Sequence, residues 1–221
     1  MARPARIDVG GLVYHVLNRA NARRVLFEDV ADYRLFLACL AQARERSGIR
    51  LCAFCAMPNH WHAVVWPDQD GQVAAFAGRL ALLHTQRVHA IRGSAGEGPL
   101  YQGRYRSFMV QEDAHFLTVC RYVERNPVRA GLVEHAAAWP WSSRGYEPAR
   151  GGDPLATVWP LPRPQGWARL VDEPLTPAEL DDLRLSANRG RPYGEPAWRE
   201  RTSERFGLRA TLRDRGRPRR G

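Results

Sequence analysis

The residues in this sequence best suited to chemistry begin with the triplet His60-Trp61-His62. On a β-strand, residues two apart point to the same face, so both imidazoles can reach one divalent cation while Trp61 points to the other face. Histidine pairs of this spacing are also common as surface or packing residues that hold no metal. The triplet alone therefore leaves a metal site and an inert pair as open alternatives.

A second candidate group is Tyr122 with Asn126. Residues four apart on a helix lie on one face. A tyrosine hydroxyl there can act as a nucleophile, and an amide oxygen one turn later can complete the ligand set of a metal. Taken alone, Tyr122 is better explained as a core residue of an amphipathic helix. The two groups together indicate a chemistry that neither indicates alone.

The elements that must position these residues follow from hydrophobic periodicity and turn signals. The order is strand, helix, strand, strand, helix, strand, helix, and the Asn126-Pro127 step is expected to end or kink the last helix. The first six elements fit a ferredoxin-like antiparallel sheet with helices on one face, which is an α+β fold. The strands are predicted at 12–19, 49–57, 60–66 and 105–111, and the helices at 29–46, 73–91 and 113–122.

The composition changes after Tyr146. Residues 148–175 are rich in proline and glycine and predict a linker behind a main domain at 1–147. Residues 176–221 predict a mostly helical C-terminal extension, because Thr176-Pro177-Ala178-Glu179 is typical of a helix start. A second short helix is predicted near 196–206, followed by an arginine-rich tail.

The chain has 221 residues and a formal net charge of +10, and all of its Lys-plus-Arg total is arginine. Such a charge favours a polyanionic partner, either nucleic acid or an anionic membrane surface. No apolar run approaches the roughly 20 residues of a membrane span, and no apolar signal-peptide core follows the basic N-terminus. We expect a cytoplasmic protein without a membrane partner and without a disulfide framework among its four cysteines.

Three motifs in order resemble a known family. Over roughly residues 7–147 the chain resembles the single-tyrosine HUH transposases and, more narrowly, their REP-associated tyrosine transposase branch. The motifs that carry this resemblance are Cys55-Ala-Met-Pro-Asn-His-Trp-His62, Tyr101-Gln-Gly-Arg-Tyr-Arg106 and Arg121-Tyr-Val-Glu-Arg-Asn-Pro-Val-Arg-Ala-Gly131.

The resemblance implies a role for each residue of the two candidate groups. His60 and His62 would bind a divalent metal with Asn126 as third ligand, and Tyr122 would be the nucleophile. The metal would be Mg²⁺ or Mn²⁺, and mixed histidine and asparagine ligation favours Mn²⁺. The implied reaction cuts and rejoins single-stranded DNA at REP-like hairpins through a 5′-phosphotyrosine. Hairpin DNA would be the partner, with no small-molecule substrate, and a monomer is favoured over a dimer.

Arginines near the motifs are expected either to contact DNA phosphates or to form a solvated basic face. Tyr101 and Tyr105 could stack on unpaired bases or pack in the core. In the tail, Arg215, Arg217 and Arg219 belong to a segment that resembles an AT-hook, which predicts phosphate attraction or minor-groove insertion. The other candidate arginines are Arg19, Arg23, Arg24, Arg104, Arg106, Arg121, Arg125 and Arg129.

Two rival functions remain open. The chain could be a domesticated, catalytically silent protein that grips hairpin DNA or RNA, although a domain released from catalysis has no need of His60, His62, Tyr122 and Asn126 together. It could also be a metal-dependent phosphodiester hydrolase in which Tyr122 is merely structural.

Overall fold

The computed structural model describes residues 7–148 and 152–213, apart from the side chain of Arg23. Its first part contains β1 Val13–Arg19, α1 Val30–Ser47, β2 Arg50–Met57, β3 His60–Trp66, α2 Gln72–Arg92, β4 Arg106–Val110 and α3 Ala114–Glu124. Its second part contains α4 Asn126–Arg129, α5 Trp167–Asp172, α6 Pro177–Arg189, α7 Pro196–Arg205 and α8 Arg209–Leu212. The predicted strand and helix order of the first part is confirmed.

The strands form one antiparallel sheet in the order β2-β3-β1-β4. This is the ferredoxin-like arrangement that the sequence predicted. Strand β1 lies between β3 and β4, and its register places Leu17 beside His62 and Arg19 beside His60. The sheet therefore brings the end of β1 next to the paired histidines.

Alternation along the strands divides the core into two layers. Helices α1 and α2 cover one face, as predicted, and Trp61 and Phe54 are buried beneath them. Helix α3 covers the other face, where Val64, Phe108 and Phe116 pack. Because His60 and His62 alternate with Trp61, they lie on the α3 face, which also carries Tyr122.

Helix α3 has clear boundary signals. The side chain of Asp113 accepts a hydrogen bond from the backbone N–H of His115, which caps the first turn. The helical path is interrupted at Arg125, and α4 begins at Asn126. Pro127 lies in the first turn of α4, where the N–H that proline lacks would have had no helical partner. The break thus falls within one residue of its predicted place.

Residues 152–175, which composition predicted as linker, lie against the outer strand β2. The backbone N–H of Val158 donates to the carbonyl oxygen of Leu51, and the indole of Trp159 donates to the carbonyl of Cys52. Helix α5 lies within the same stretch and packs against α3. The division into domain, linker and extension stays a prediction. The segment 152–175 nevertheless packs against β2 and α3.

The C-terminal helices cover the opposite edge of the sheet. The predicted start of α6 is present as a capping box between Thr176 and Glu179. After α6, the backbone N–H of Tyr193 donates to the carbonyl of Met109, and Gln111 donates back to Tyr193. Covering the outer strand β4 in this way removes unpaired backbone groups that would otherwise invite pairing with other chains. None of the helices in the described ranges is long and apolar enough to cross a membrane.

Candidate active site

His60 and His62 lie at the start of β3, where one side of the sheet opens into a cleft of about 490 Å³ that both residues line. His62 is only 5% exposed, whereas His60 is partly exposed. Their ring centroids are 4.9 Å apart. The strand therefore places both imidazoles on one face, at a separation suited to a shared ligand.

Hydrogen bonds orient both rings through their Nδ1 atoms. Nδ1 of His60 lies 2.7 Å from Oδ1 of Asn59, and Nδ1 of His62 lies 2.9 Å from Nε2 of His15. With protons on the two Nδ1 atoms, both Nε2 atoms carry the free lone pair that a metal needs. Nε2 of His62 is buried and has no hydrogen-bond partner within the part of the chain that the structure describes.

The same burial keeps these imidazoles neutral. Burial lowers the pKa of His60 to about 4, with further lowering by the nearby charges of Arg19 and Arg129. Burial, followed by the neighbouring His60 and His15, holds the pKa of His62 well below its usual range. Burial also lowers the pKa of His15 to about 3. Neutral imidazoles can donate lone pairs to a metal without first losing a proton.

Tyr122 reaches the same site from α3. Its ring centroid lies 5.7 Å from that of His62 and 6.3 Å from that of His15, both in edge-on geometry. Tyr122 also lines the cleft, and the guanidinium of Arg129 lies over its ring at 5.5 Å. The tyrosine and the two candidate ligands thus share one cavity.

Asn126 follows Tyr122 by one helical turn, but unlike Tyr122 and the two histidines it is not among the described residues that line the cleft. It is fully buried, its amide nitrogen donates to the carbonyl of Tyr122 at 2.9 Å, and its Oδ1 accepts from Arg129 at 2.7 Å. An amide oxygen has two lone pairs, so the contact with Arg129 leaves one lone pair for another partner. Within the described ranges, no group of three His, Cys, Asp or Glu side chains could hold a metal.

The cleft is strongly basic. Among its described lining residues there is no aspartate or glutamate. Four of the arginines that the sequence singled out line it, together with Arg184 from α6, which the sequence did not single out. The four expected arginines of the cleft are Arg19, Arg104, Arg106 and Arg129.

The structure decides between the two roles left open for Tyr101 and Tyr105. Both pack in the core on the α1 and α2 side, at 6% and 7% exposure. The hydroxyl of Tyr101 accepts from the indole of Trp61 and is hydrogen-bonded to Nδ1 of His84. Stacking of either ring on DNA bases is therefore corrected to core packing, because neither ring face is accessible.

Arg121 and Arg125, two further candidates for DNA contact, are engaged within the protein, and their DNA contacts stay predictions. The side chain of Arg121 donates to the carbonyls of Leu170 and Glu173, and that of Arg125 donates to the carbonyl of Asp172. Both arginines therefore satisfy backbone oxygens at the end of α5, and neither lines the cleft.

The remaining predicted arginines lie outside the cleft or outside the described residues. Arg24 is exposed and does not line the cavity. The side chain of Arg23 and all of Arg215, Arg217 and Arg219 fall outside the part of the chain that is described.

His15, Arg184 and Asn188 are among the residues at this site that sequence reasoning missed. His15 is buried and hydrogen-bonded to His62, while Arg184 and Asn188 reach the cleft from α6. Strand alternation was a usable signal for His15, since it shares a face of β1 with Arg19. No signal in α6 could show which part of the sheet the helix would meet.

Comparison with known proteins agrees with this architecture. Residues 8–126 match the model of the IS200-like transposase family, which is more than half of the chain. The chain therefore belongs to this family of transposases, enzymes that nick and rejoin DNA.

Two relatives of the chain belong to one branch of this family, the REP-associated tyrosine transposases. The REP-associated tyrosine transposase of Escherichia coli K12 is 23% identical over 146 residues, covering 66% of this chain and 84% of the relative. A protein of Haemophilus influenzae assigned to the same group is 27% identical over 145 residues, covering 61% of this chain and 80% of the relative. The resemblance to REP-associated tyrosine transposases is thus confirmed.

A solved structure shares the fold. The structure of a REP-associated tyrosine transposase bound to a REP hairpin superposes with a TM-score of 0.55 at 18% identity, covering 72% of this chain and 95% of that one. At this identity the likeness supports the fold assignment.

Proposed function

We propose that the chain is a metal-dependent single-stranded DNA endonuclease and strand transferase that acts on REP-like hairpins through a 5′-phosphotyrosine on Tyr122. The observation that carries this proposal is the meeting of Tyr122, His60 and His62 in one arginine-lined cleft. Membership of a transposase family gives the class of reaction, and the cleft supplies residues that can perform it.

His60, His62 and Asn126 would hold the metal. The unpartnered Nε2 of His62, the hydrogen-bonded Nδ1 atoms and the neutral imidazoles all fit a divalent cation. Such a cation would neutralise a non-bridging phosphate oxygen and make the phosphorus more open to attack. Imidazole with amide oxygen suits Mn²⁺ somewhat better than Mg²⁺.

Tyr122 would carry out the covalent step. Its phenolic oxygen attacks the phosphorus in line with the 3′ oxygen, a Tyr–O–P bond forms, and the P–O3′ bond breaks. The phenol loses one proton and the departing 3′ oxygen gains one, so the charges balance. Because the phosphoester is retained on Tyr122, a free 3′-hydroxyl can later attack it and reseal the strand.

The cleft arginines would hold the DNA. Arg19, Arg104 and Arg106 line the cavity around the histidines, and a guanidinium can donate to a phosphate through two N–H groups. Hairpin DNA is proposed as the substrate because the relatives are REP-associated and the structural neighbour is bound to a REP hairpin.

The test is a nicking assay with Mn²⁺ on single-stranded hairpins taken from the DNA that flanks the coding sequence of this protein. The products are separated on a denaturing gel. The wild-type protein should give a covalent DNA–protein adduct, and Tyr122→Phe should give neither adduct nor nick while it still folds. Tyr146→Phe is a matched control, because Tyr146 packs against Phe54 and does not line the cleft. An adduct in Tyr122→Phe would refute the nucleophile assignment.

The same assay separates the rival functions. Full nicking in EDTA would contradict the metal role of His60 and His62. If the wild-type protein binds the hairpin without cutting it, the chain is a catalytically silent hairpin-binding protein. Cleavage without any adduct, retained in Tyr122→Phe, would indicate a hydrolase in which Tyr122 is structural.

A further inference from the structure

Helix α6 of the C-terminal segment forms a wall of the cleft that holds the histidines and Tyr122. Arg184, Ala187 and Asn188, which share one face of the helix, line the same cavity. These residues lie well beyond 8–126, the segment that matches the transposase family. The cleft is therefore completed by an element outside the shared core.

The position of this wall is fixed by packing. Leu183 and Ser186 of α6 are buried, and Leu183 belongs to the core on the α3 face. Tyr193, just after the helix, is hydrogen-bonded to the edge strand β4. Nη1 of Arg106 on β4 donates to Oδ1 of Asn188 at 3.4 Å, inside the cleft. This face of α6 is thus packed against the sheet.

Arg184 is available for a ligand. Its side chain is 52% exposed, and its ion pair is with Asp181, one turn earlier on the same helix and 75% exposed. A solvent-exposed pair of this kind contributes little stability, so Arg184 can exchange Asp181 for a phosphate. The other acid of this turn, Asp182, pairs with Arg191 and Arg199.

We propose that this face of α6 binds the DNA strand beside the phosphate to be cut. Arg184 contacts a neighbouring phosphate, and Asn188, oriented by Arg106, contacts the adjacent nucleotide through its amide. This inference rests on the proposed function, since it assigns a second binding surface to the same DNA. The strand would pass between α6 and the opposite wall of the cleft, which carries the histidines of β3 and Tyr122 of α3.

The test measures binding separately from cleavage. A labelled REP-like hairpin with its single-stranded flank is titrated in EDTA, and fluorescence anisotropy is followed at several salt concentrations. Arg184→Ala should weaken binding roughly fivefold near physiological salt, and should reduce the salt slope by roughly 0.7, the value for one phosphate contact on a single strand. Arg184→Lys should restore the slope, because lysine keeps the charge.

Two further variants complete the test. Arg79→Ala is the matched control, because Arg79 is an exposed arginine on α2, on the opposite face of the sheet. It should leave affinity and slope nearly unchanged. Asn188→Ala should weaken binding without changing the slope, since an amide carries no charge.

The outcomes distinguish this inference from the proposed function. If the wild-type protein binds and nicks the hairpin but Arg184→Ala behaves like Arg79→Ala, the α6 surface is refuted and the proposed function stands. If the wild-type protein neither binds nor nicks, both fail together.

Discussion

His15 is placed to orient one of the candidate metal ligands, His62. It lies on β1, buried between His62 and Phe108, and its Nε2 faces Nδ1 of His62. With the proton on Nδ1 of His62, Nε2 of His15 would accept the hydrogen bond, and Nε2 of His62 would keep its lone pair free for a metal. Partners of this kind orient metal-binding histidines in many proteins.

Replacing His15 tests this role at the scale of one residue. His15→Phe keeps a ring of similar shape but removes the acceptor, so Mn²⁺ affinity should fall about 10- to 100-fold. His15→Gln restores a hydrogen-bonding group and should recover part of that loss. Calorimetric titration of Mn²⁺ into the metal-free protein measures the effect without relying on activity. Equal Mn²⁺ affinity in His15→Phe and the wild-type protein would contradict the role.

At the scale of elements, one buried carboxylate links α3 to its neighbours, in addition to the packing of the helix's apolar face in the core. Glu124 lies two residues after Tyr122 and is buried, and its two oxygens accept from the hydroxyl of Ser143 and the indole of Trp167. Burial raises the pKa of this carboxyl, while both hydrogen bonds favour its charged form. Glu124 thereby joins α3 to the segment that pairs with β2 and to α5.

Removing this carboxyl should loosen the helix that carries Tyr122. Glu124→Ala leaves the buried indole N–H of Trp167 without an acceptor, while the partly buried Ser143 hydroxyl keeps the carbonyl of Phe54, and the free energy of unfolding should fall by about 2 kcal/mol. Glu124→Gln keeps the shape and one acceptor oxygen, so its loss should be smaller, about 1 kcal/mol. Urea denaturation followed by circular dichroism gives both values. Identical losses in the two variants would show that the hydrogen bonds are not what holds α3.

At the scale of the whole molecule, several buried histidines make folding sensitive to acid. His15, His60, His62 and His84 all have a pKa below the usual value, and burial is the main cause in each. In the unfolded chain a histidine takes up its proton near pH 6.5. Between that pH and the lowered pKa, the unfolded chain binds more protons than the folded protein, so the free energy of unfolding falls as the pH falls.

His84 offers a test of this sensitivity away from the cleft. Burial lowers its pKa to about 4, and its ring packs between Phe27 and Phe36. A single histidine with this shift should cost about 2 kcal/mol of stability at about pH 5 relative to about pH 7.5. In His84→Phe the loss between these two pH values, measured by urea denaturation in EDTA, should be smaller by that amount. An unchanged loss would show that His84 does not contribute to the acid sensitivity.

The sequence predicted the sheet and its order of elements because those signals are local. Alternating and helical periodicity, the Asp113 cap and the Thr176 capping box each depend on neighbours within a few residues. The same local logic placed His60 and His62 on one strand face. The role of Tyr122 needed the resemblance between motifs, because its spacing from Asn126 is equally typical of a packed helix.

Tertiary structure alone decided which side chains reach the cleft. The sequence left base stacking and core packing open for Tyr101, and the structure places it in the core, because whether a ring is buried depends on the helices packed over it. Arg121, a candidate for phosphate contact, satisfies a carbonyl of α5. Arg184 comes to the histidines from more than a hundred residues away, through the docking of α6 on β4. Periodicity shows which face of an element is apolar, but not which element that face will meet, and that pairing determined the walls of the cleft.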